Sequence, residues 1–360
     1  MYKRNVDAVH LMMDVGTTHY RAATGKGQVI QEPCVVAHAK TKTPLIGTQA
    51  KRMIGRSPER VQIVHPVQEG VIVDLEATAA IMRSCIEQFS PRRFRSKVSL
   101  TIAVPSNLTH IQSRSLQEAG RLAGAQRIEL VPASVAAGLG ASLPMHTATG
   151  CLLVHLGGGV TEASVLSMGE VVESRRLPNG GQEMDRLIAE RVRKEYFFLI
   201  GEQTAENMKR ELSMQPELAG QNVRGRNLRT GLPGTVFVKR AIVDELLTAY
   251  AASVIDLIAQ TISTCEPELA GDISERGIVL TGGLARIALL VSKIEQRVGV
   301  PTTVAKEPES CVIRGLIEKS AQLKSHNART PMAALSEQVA QSVQQLFGKK
   351  THTQSTQPED

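Results

Sequence analysis

Three times along 360 residues an apolar run ends in a glycine-rich turn, and that repeat restricts the fold more tightly than any other feature. Residues 8–15 run into Asp14-Val15-Gly16-Thr17-Thr18, Leu152-Leu153-Val154-His155-Leu156 runs into Gly157-Gly158-Gly159-Val160-Thr161, and Ile278-Val279-Leu280 runs into Thr281-Gly282-Gly283. A short apolar run bounded by a tight turn reads as a buried strand. The turn after it bares backbone N–H groups that can cradle phosphate oxygens, because no Cβ blocks the approach and a following helix start adds positive potential. One such turn is weak support for a phosphate loop. The first two, about one domain apart, predict an internally duplicated fold.

Between them, residues 98–104 read as a strand and 109–123 as a helix with Ile111, Leu116, Ala119 and Leu122 near one face. Residues 128–131 read as a strand and 134–143 as an Ala/Gly-rich helix whose small side chains permit close packing. Further on, 182–196, 204–212 and 242–264 read as helices, the last with Leu246, Leu247, Tyr250, Val254, Leu257 and Ile258 at helical spacing. The basic, glycine-rich stretch 216–235 reads as loops and short strands. Alternating strands and helices predict an α/β fold. From residue 326 the chain turns polar; Met332, Leu335, Val339, Val343, Leu346 and Phe347 fit one amphipathic helix, read as docking on the protein's own surface, and 351–360 reads as disordered.

At this length two domains of about 100–200 residues are expected. With no Trp and 3% aromatic residues, Leu, Ile, Val, Ala and Met must fill the core. The formal charge of +7 would suit nucleic acid or an anionic membrane; it is read as a solvated basic surface, with no nucleic-acid partner. Five cysteines without a C-x-x-C pair indicate neither a zinc site nor a disulfide framework, and predict a reduced, cytoplasmic protein. There is no signal-peptide pattern and no run of about 20 apolar residues, so any membrane contact is expected to be peripheral.

Two glycine hairpins that grip phosphates between them, with a third Gly-Gly turn beside a long helix for base and sugar, form the design of actin, sugar kinases and heat-shock ATPases. The loops at 14–18, 157–161 and 281–284 stand in its order. Within that superfamily the chain resembles MreB, the bacterial actin, from about residue 9 to 320. Asp14-Val15-Gly16-Thr17-Thr18, Pro66-Val67-Gln68-Glu69-Gly70-Val71-Ile72 and Gly157-Gly158-Gly159-Val160-Thr161-Glu162 carry the resemblance, with Thr204-Ala205-Glu206-Asn207-Met208-Lys209. Val223-Arg224-Gly225-Arg226-Asn227-Leu228 and Asp272-Ile273-Ser274-Glu275-Arg276-Gly277-Ile278-Val279-Leu280-Thr281-Gly282-Gly283 separate MreB from its cousins.

The resemblance implies an actin-like ATPase fold of two duplicated α/β domains with a nucleotide cleft between them. These are 1–150, with a small subdomain at about 31–80, and 151–325, with a small subdomain at about 182–245; a polar tail covers 326–360. It implies ATP as ligand, its phosphates touched by Gly16, Thr17, Thr18 and His19 from one domain and by Gly157, Gly158, Gly159, Val160 and Thr161 from the other. Glu206 and Lys209 would face ribose and adenine, and Gly282, Gly283, Leu284, Ala285 and Arg286 would close over the base. Asp14 would orient the water shell of Mg²⁺.

Departures from the family pattern bear on that chemistry. His155 stands where the family carries an aspartate, and Mg²⁺ with its waters prefers carboxylate oxygen to imidazole, which leaves metal binding open. The imidazole either protonates beside the phosphates and replaces part of the metal's charge, or fills space. The family's paired acids before the Ala-rich helix, one of which positions the attacking water, fall at Pro132 and Ala133. Loss of such a group commonly slows a reaction by ~10²–10⁴, so at most a slow ATPase is expected. Leu284 replaces a glycine of the third loop, and His19 and Tyr20 replace smaller residues after the first; both changes would crowd a nucleotide.

As function, the resemblance implies membrane-associated, nucleotide-regulated filaments that guide cell-wall synthesis and maintain rod shape at the inner face of the cell membrane. Implied partners are other copies of the chain, another MreB and membrane proteins of the elongation machinery. Phe94 among Arg92, Arg93 and Arg95 lies where the family carries its membrane loop, and each basic residue adds ~1 kcal/mol near an anionic surface. Two other classes stay open. One is a non-polymerising actin-fold adaptor akin to FtsA, whose small first subdomain is inserted elsewhere, whereas 30–80 here looks like MreB's own. The other is a small-molecule kinase of the same superfold, which needs a carboxylate base aimed at its acceptor hydroxyl, and no acid stands where one would be expected near the second loop.

Overall fold

The structure, a computed structural model, describes residues 9–25, 27–38, 43–89 and 97–329, with side chains as far as 322. Arg92, Arg93, Phe94 and Arg95, expected at the membrane, and the amphipathic helix of the tail lie outside the described residues. The chain divides into a compact unit over 1–317 and a second over 318–360, and the features below belong to the first.

Two five-stranded sheets repeat one topology. In the first, strand Val9–Val15 pairs antiparallel with His19–Thr24, which pairs antiparallel with Val29–Pro33; on its other side Val9–Val15 pairs parallel with Val98–Val104, and that with Arg127–Pro132. In the second, Cys151–Leu156 takes the central place. Thr161–Ser167 and Glu170–Leu177 follow antiparallel on one side, and Ile278–Thr281 and Thr302–Val304 parallel on the other. The duplication expected from two strand–glycine units is therefore present strand for strand. In both sheets the first hairpin carries the glycine turn.

Strand periodicity sorts the core into three layers. Leu11 and Met13 point outward to the helices Leu75–Phe89 and His110–Ala123, while Met12 between them points inward. Leu152, Val154 and Leu156 point outward to Gly181–Tyr196, Glu202–Met214 and Ala241–Ile262, while Leu153 points inward. The inward residues of both sheets share a central core with Val135, Ala136, Leu139 and Val312. Central strands covered on both faces explain why these runs read as continuously apolar rather than alternating.

Two helices cross in that central core, Ala133–Gly140 and the one that begins at Cys311. A Cβ on Gly140 would overlap the carbonyl oxygen of Cys311, and one on Gly315 that of Ala136. Backbone contact between helices requires glycine at both points, as the small-residue composition of 134–143 anticipated.

Two local expectations change. Helix His110–Ala123 buries Leu116, Ala119, Gly120 and Ala123, whereas Ile111 is 78% and Leu122 44% exposed. Its packed face centres on Gly120, where an added Cβ would lie 2.6 Å from Ile128 Cδ1. The stretch read as loops and short strands is one long hairpin, Gly220–Asn227 against Pro233–Lys239. Val223 and Val238 are its buried anchors, and the glycines and arginines around them masked the pattern.

Candidate functional site

The first glycine turn closes with Gly16 N–H donating to His19 O at 3.1 Å. Thr17 is buried and accepts from Gly70 N–H at 3.2 Å through Oγ1. Gly70 sits in the small hairpin Val67–Gln68/Val71–Ile72, so the segment at 66–72 braces the turn from behind. Thr18 O accepts from Cys34 N–H at 2.9 Å, and its hydroxyl meets His19 Nδ1 at 3.2 Å. Burial, followed by the charge of Arg21, holds His19 below the usual imidazole pKa.

The second turn repeats the closure, Gly157 N–H to Val160 O at 3.0 Å, and its tip presses on the first. A Cβ on Gly158 would lie 2.6 Å from Thr18 Oγ1, and one on Gly159 would overlap Thr17 Oγ1. Only glycine lets the two tips meet. Behind the turn, Gly157 O and Gly158 O accept from Gly181 N–H (3.1 Å) and Gln182 N–H (2.8 Å), the unsatisfied first donors of helix Gly181–Tyr196. A Cβ on Gly180 would stand 2.6 Å from Gly157 O, so Gly180 belongs to the site although its Gly-Gly pair follows no apolar run in the sequence. Thr161 is fully buried; its hydroxyl donates to Asn179 O at 2.9 Å and meets Tyr250 OH. Its side chain is therefore committed to the fold, and any role in the site falls to its backbone.

The third turn leans on the second. Gly282, at φ 88°, donates to Pro308 O at 2.8 Å, and a Cβ there would overlap Leu156 O. Gly283–Arg286 form one 3₁₀ turn that buries Leu284 and Ala285. Arg286 is held bidentately by Glu309, at 2.8 and 2.5 Å. Glu206 and Lys209, one turn apart on helix Glu202–Met214, face different partners. Lys209 is buried, ion-paired to Asp185 at 2.7 Å and donating to Gly181 O at 2.7 Å. Burial pushes the Asp185 carboxyl up to about 6 against the pull of Lys209. Glu206 pairs at 2.8 Å with Lys51 of helix Thr48–Lys51, across the cleft. Burial opposes ionisation of Glu206, but Lys51 outweighs it and holds the carboxyl below its usual pKa.

The first two turns, Lys51 and the starts of helices Gly181–Tyr196 and Glu202–Met214 border a cleft of about 320 Å³, lined among others by Thr18, Lys51, Gly159, Gly180, Asp185 and Glu206; Lys209 and residues 282–286 lie outside its lining. Small-ligand sites span ~300–1,000 Å³. Lys51 and Asp185 left no mark in the sequence, because Lys51 is 155 positions from its partner and Asp185 matches no loop pattern.

Beneath the turns lies a row of polar side chains set by strand register. Asp14 stands opposite Arg21 in the first sheet; Thr281, His155, Glu162 and Arg176 are successive neighbours across the second. Arg21 Nη1 is 3.4 Å from Asp14 Oδ2. His155 is partly buried with Nδ1 3.1 Å from Thr281 Oγ1, and burial lowers its pKa against the opposing pull of Asp14 and Glu162. The imidazole is thus held neutral. Pro132 ends its strand and Ala133 opens the next helix, so the two positions fall within these elements rather than between them. The acid that follows the second loop, Glu162, is buried and accepts from Ser106 Oγ (2.5 Å), Ser164 Oγ (3.0 Å) and Ser106 N–H (3.4 Å). Held by three donors, it is tied into the fold rather than aimed at an acceptor.

This donor set does not suit a hard divalent cation. Mg²⁺ is held through carboxylate oxygens and waters; of the two positions, one is an imidazole and the other a carboxylate paired with arginine. No group of three or more His, Cys, Asp or Glu able to hold a metal occurs among the described residues. No helix among them is long and apolar enough to cross a membrane.

The MreB/Mbl protein family model matches residues 8–328. Cell shape-determining protein MreB of Escherichia coli (strain K12) is 36% identical over 316 residues, 85% of this chain and 91% of that protein. Cell shape-determining protein Mbl of Bacillus subtilis (strain 168) is 33% identical over 309 residues, covering 84% and 93%. Among solved structures, MreB5 of Spiroplasma citri bound to ADP matches with a TM-score of 0.82 at 26% identity, over 90% of this chain and 99% of that one.

Proposed function

The chain belongs to the MreB/Mbl family and has the actin-like fold, and from that premise we propose that this MreB-like cytoskeletal protein binds ATP in its cleft and works through a nucleotide-regulated polymer rather than through catalysis. The observation that carries the nucleotide reading is the meeting of three glycine turns. Gly158 and Gly159 touch Thr18 and Thr17, Gly282 touches Leu156, and Gly180 touches the second turn. Such closeness excludes side chains from the tips, so that contacts to phosphate oxygens would fall to the backbone N–H groups of the turns.

In this reading domains 1–150 and 151–325 enclose the nucleotide. Asp14 and residues 16–19 with 157–161 surround its phosphates, Glu206 and Lys209 face the sugar and base, and residues 282–286 close over the base. Glu206 and Arg286 would exchange Lys51 and Glu309 for the ligand. Hydrolysis is very slow or absent, since Pro132 and Ala133 offer no group to position water. The polymer associates with the inner face of the membrane, meets elongation-machinery proteins and maintains rod shape by guiding wall synthesis.

Sedimentation and electron microscopy of the purified chain with and without ATP test this. Nucleotide-dependent filaments are expected. A protein that stays monomeric with ATP, and also with a standard MreB present, would instead be a non-polymerising adaptor.

A further inference from the structure

We propose that Arg21 takes the place of a divalent cation: its guanidinium binds the nucleotide's terminal phosphates, and nucleotide binding needs no metal. This rests on the nucleotide reading of the cleft. Arg21 stands opposite Asp14 in the hairpin whose turn presses against Gly158 and Gly159. Its anchors are fixed, Nε donating to Gln31 Oε1 at 3.1 Å and Nη1 to Asp14 Oδ2 at 3.4 Å. Nη2 has no partner among the described residues, so a two-donor edge of the planar fork remains for an anion. Its charge also lowers the pKa of His155 and of Glu309 in the second half of the molecule, as the smallest of the influences on each.

Charge balance points the same way. Two carboxylates and a divalent cation sum to zero, and so do Asp14, Arg21 and a neutral imidazole at 155. A cation placed near Asp14 would meet the guanidinium already there, and like charges at that range oppose binding.

The test is calorimetric titration with ADP in EDTA and in MgCl₂, for the full chain and for Arg21→Gln and Arg21→Lys. Wild-type affinity is expected to be the same in both buffers. Arg21→Gln should lose about ten- to a hundredfold in EDTA, the scale of a charge-assisted hydrogen bond, and Arg21→Lys, which keeps the charge but not the fork, should recover part of it. Wild-type binding that requires Mg²⁺ would overturn the proposal while leaving the nucleotide site intact, and this arm does not depend on a variant folding. Unchanged binding by Arg21→Gln in EDTA would also overturn it. Absence of binding in both buffers would remove the nucleotide reading itself, and this inference with it.

Discussion

Asp14 and Arg21 face each other across the first hairpin, and His155 and Glu162 face each other at the equivalent register of the second. Both hairpins turn through glycine, and both close with the same N–H to C=O bond, at 3.1 and 3.0 Å. Yet acid and base have changed places. In the first half the acid lies on the central strand and its partner is a guanidinium at ion-pair distance. In the second half the central strand carries a neutral imidazole, and the neighbouring carboxylate is absorbed by serine hydroxyls. Duplication has preserved what the backbone needs, while the side-chain chemistry on the same scaffold has diverged.

The largest effect is expected where the two hairpins touch. Gly159→Ala would drive a methyl into Thr17 and should cost about 1–3 kcal/mol of stability by overpacking, whereas Gly16→Ala, whose Cβ would stand 3.0 Å from His19 O, should cost less. Urea unfolding of both variants reads the difference, and equal losses would break the comparison between the turns. Next comes the buried carboxylate. Glu162→Leu takes the carboxylate from Ser106 and Ser164 and should cost about 1–2 kcal/mol, while Asp14→Leu leaves a guanidinium that is only 12% exposed with Gln31 as its remaining partner and should cost at least as much.

The histidine separates the halves by pH. Packing lowers the folded pKa of His155 below its unfolded value, so the unfolded chain binds the proton first and stability falls as pH drops below about 6.5. His19 and His65 act in the same sense. His155→Gln should therefore reduce, without abolishing, the loss of stability between pH 7 and 5; an unchanged slope would mean that His155 is charged in the fold. The smallest effect belongs to Lys51→Ala. That pair is a quarter to a third exposed and should contribute about 0–1 kcal/mol, although its removal should open the cleft to faster hydrogen exchange around Glu206.

The sequence spoke most clearly where local rules act alone. Glycine turns after apolar runs located all three loops and the duplicated topology, because strand burial and turn sterics are decided within a few residues. It spoke poorly where two distant segments meet. Lys51 with Glu206, Lys209 with Asp185 and Glu162 with Ser106 are pairs that tertiary packing alone brings together, and the helix at 110–123 shows the same limit. There Ile111 fits the apolar period but faces solvent, because Gly120 sets the face that docks.

The most direct test is phosphate release from ATP-saturated protein, with Ala133→Glu measured beside the wild type and binding recorded for both. The wild type is expected to bind ATP and release no phosphate above background, and Ala133→Glu to bind equally well and release it faster. Wild-type turnover that Ala133→Glu leaves unchanged would contradict the claim that an intact set of glycine turns has lost its catalysis at positions 132 and 133.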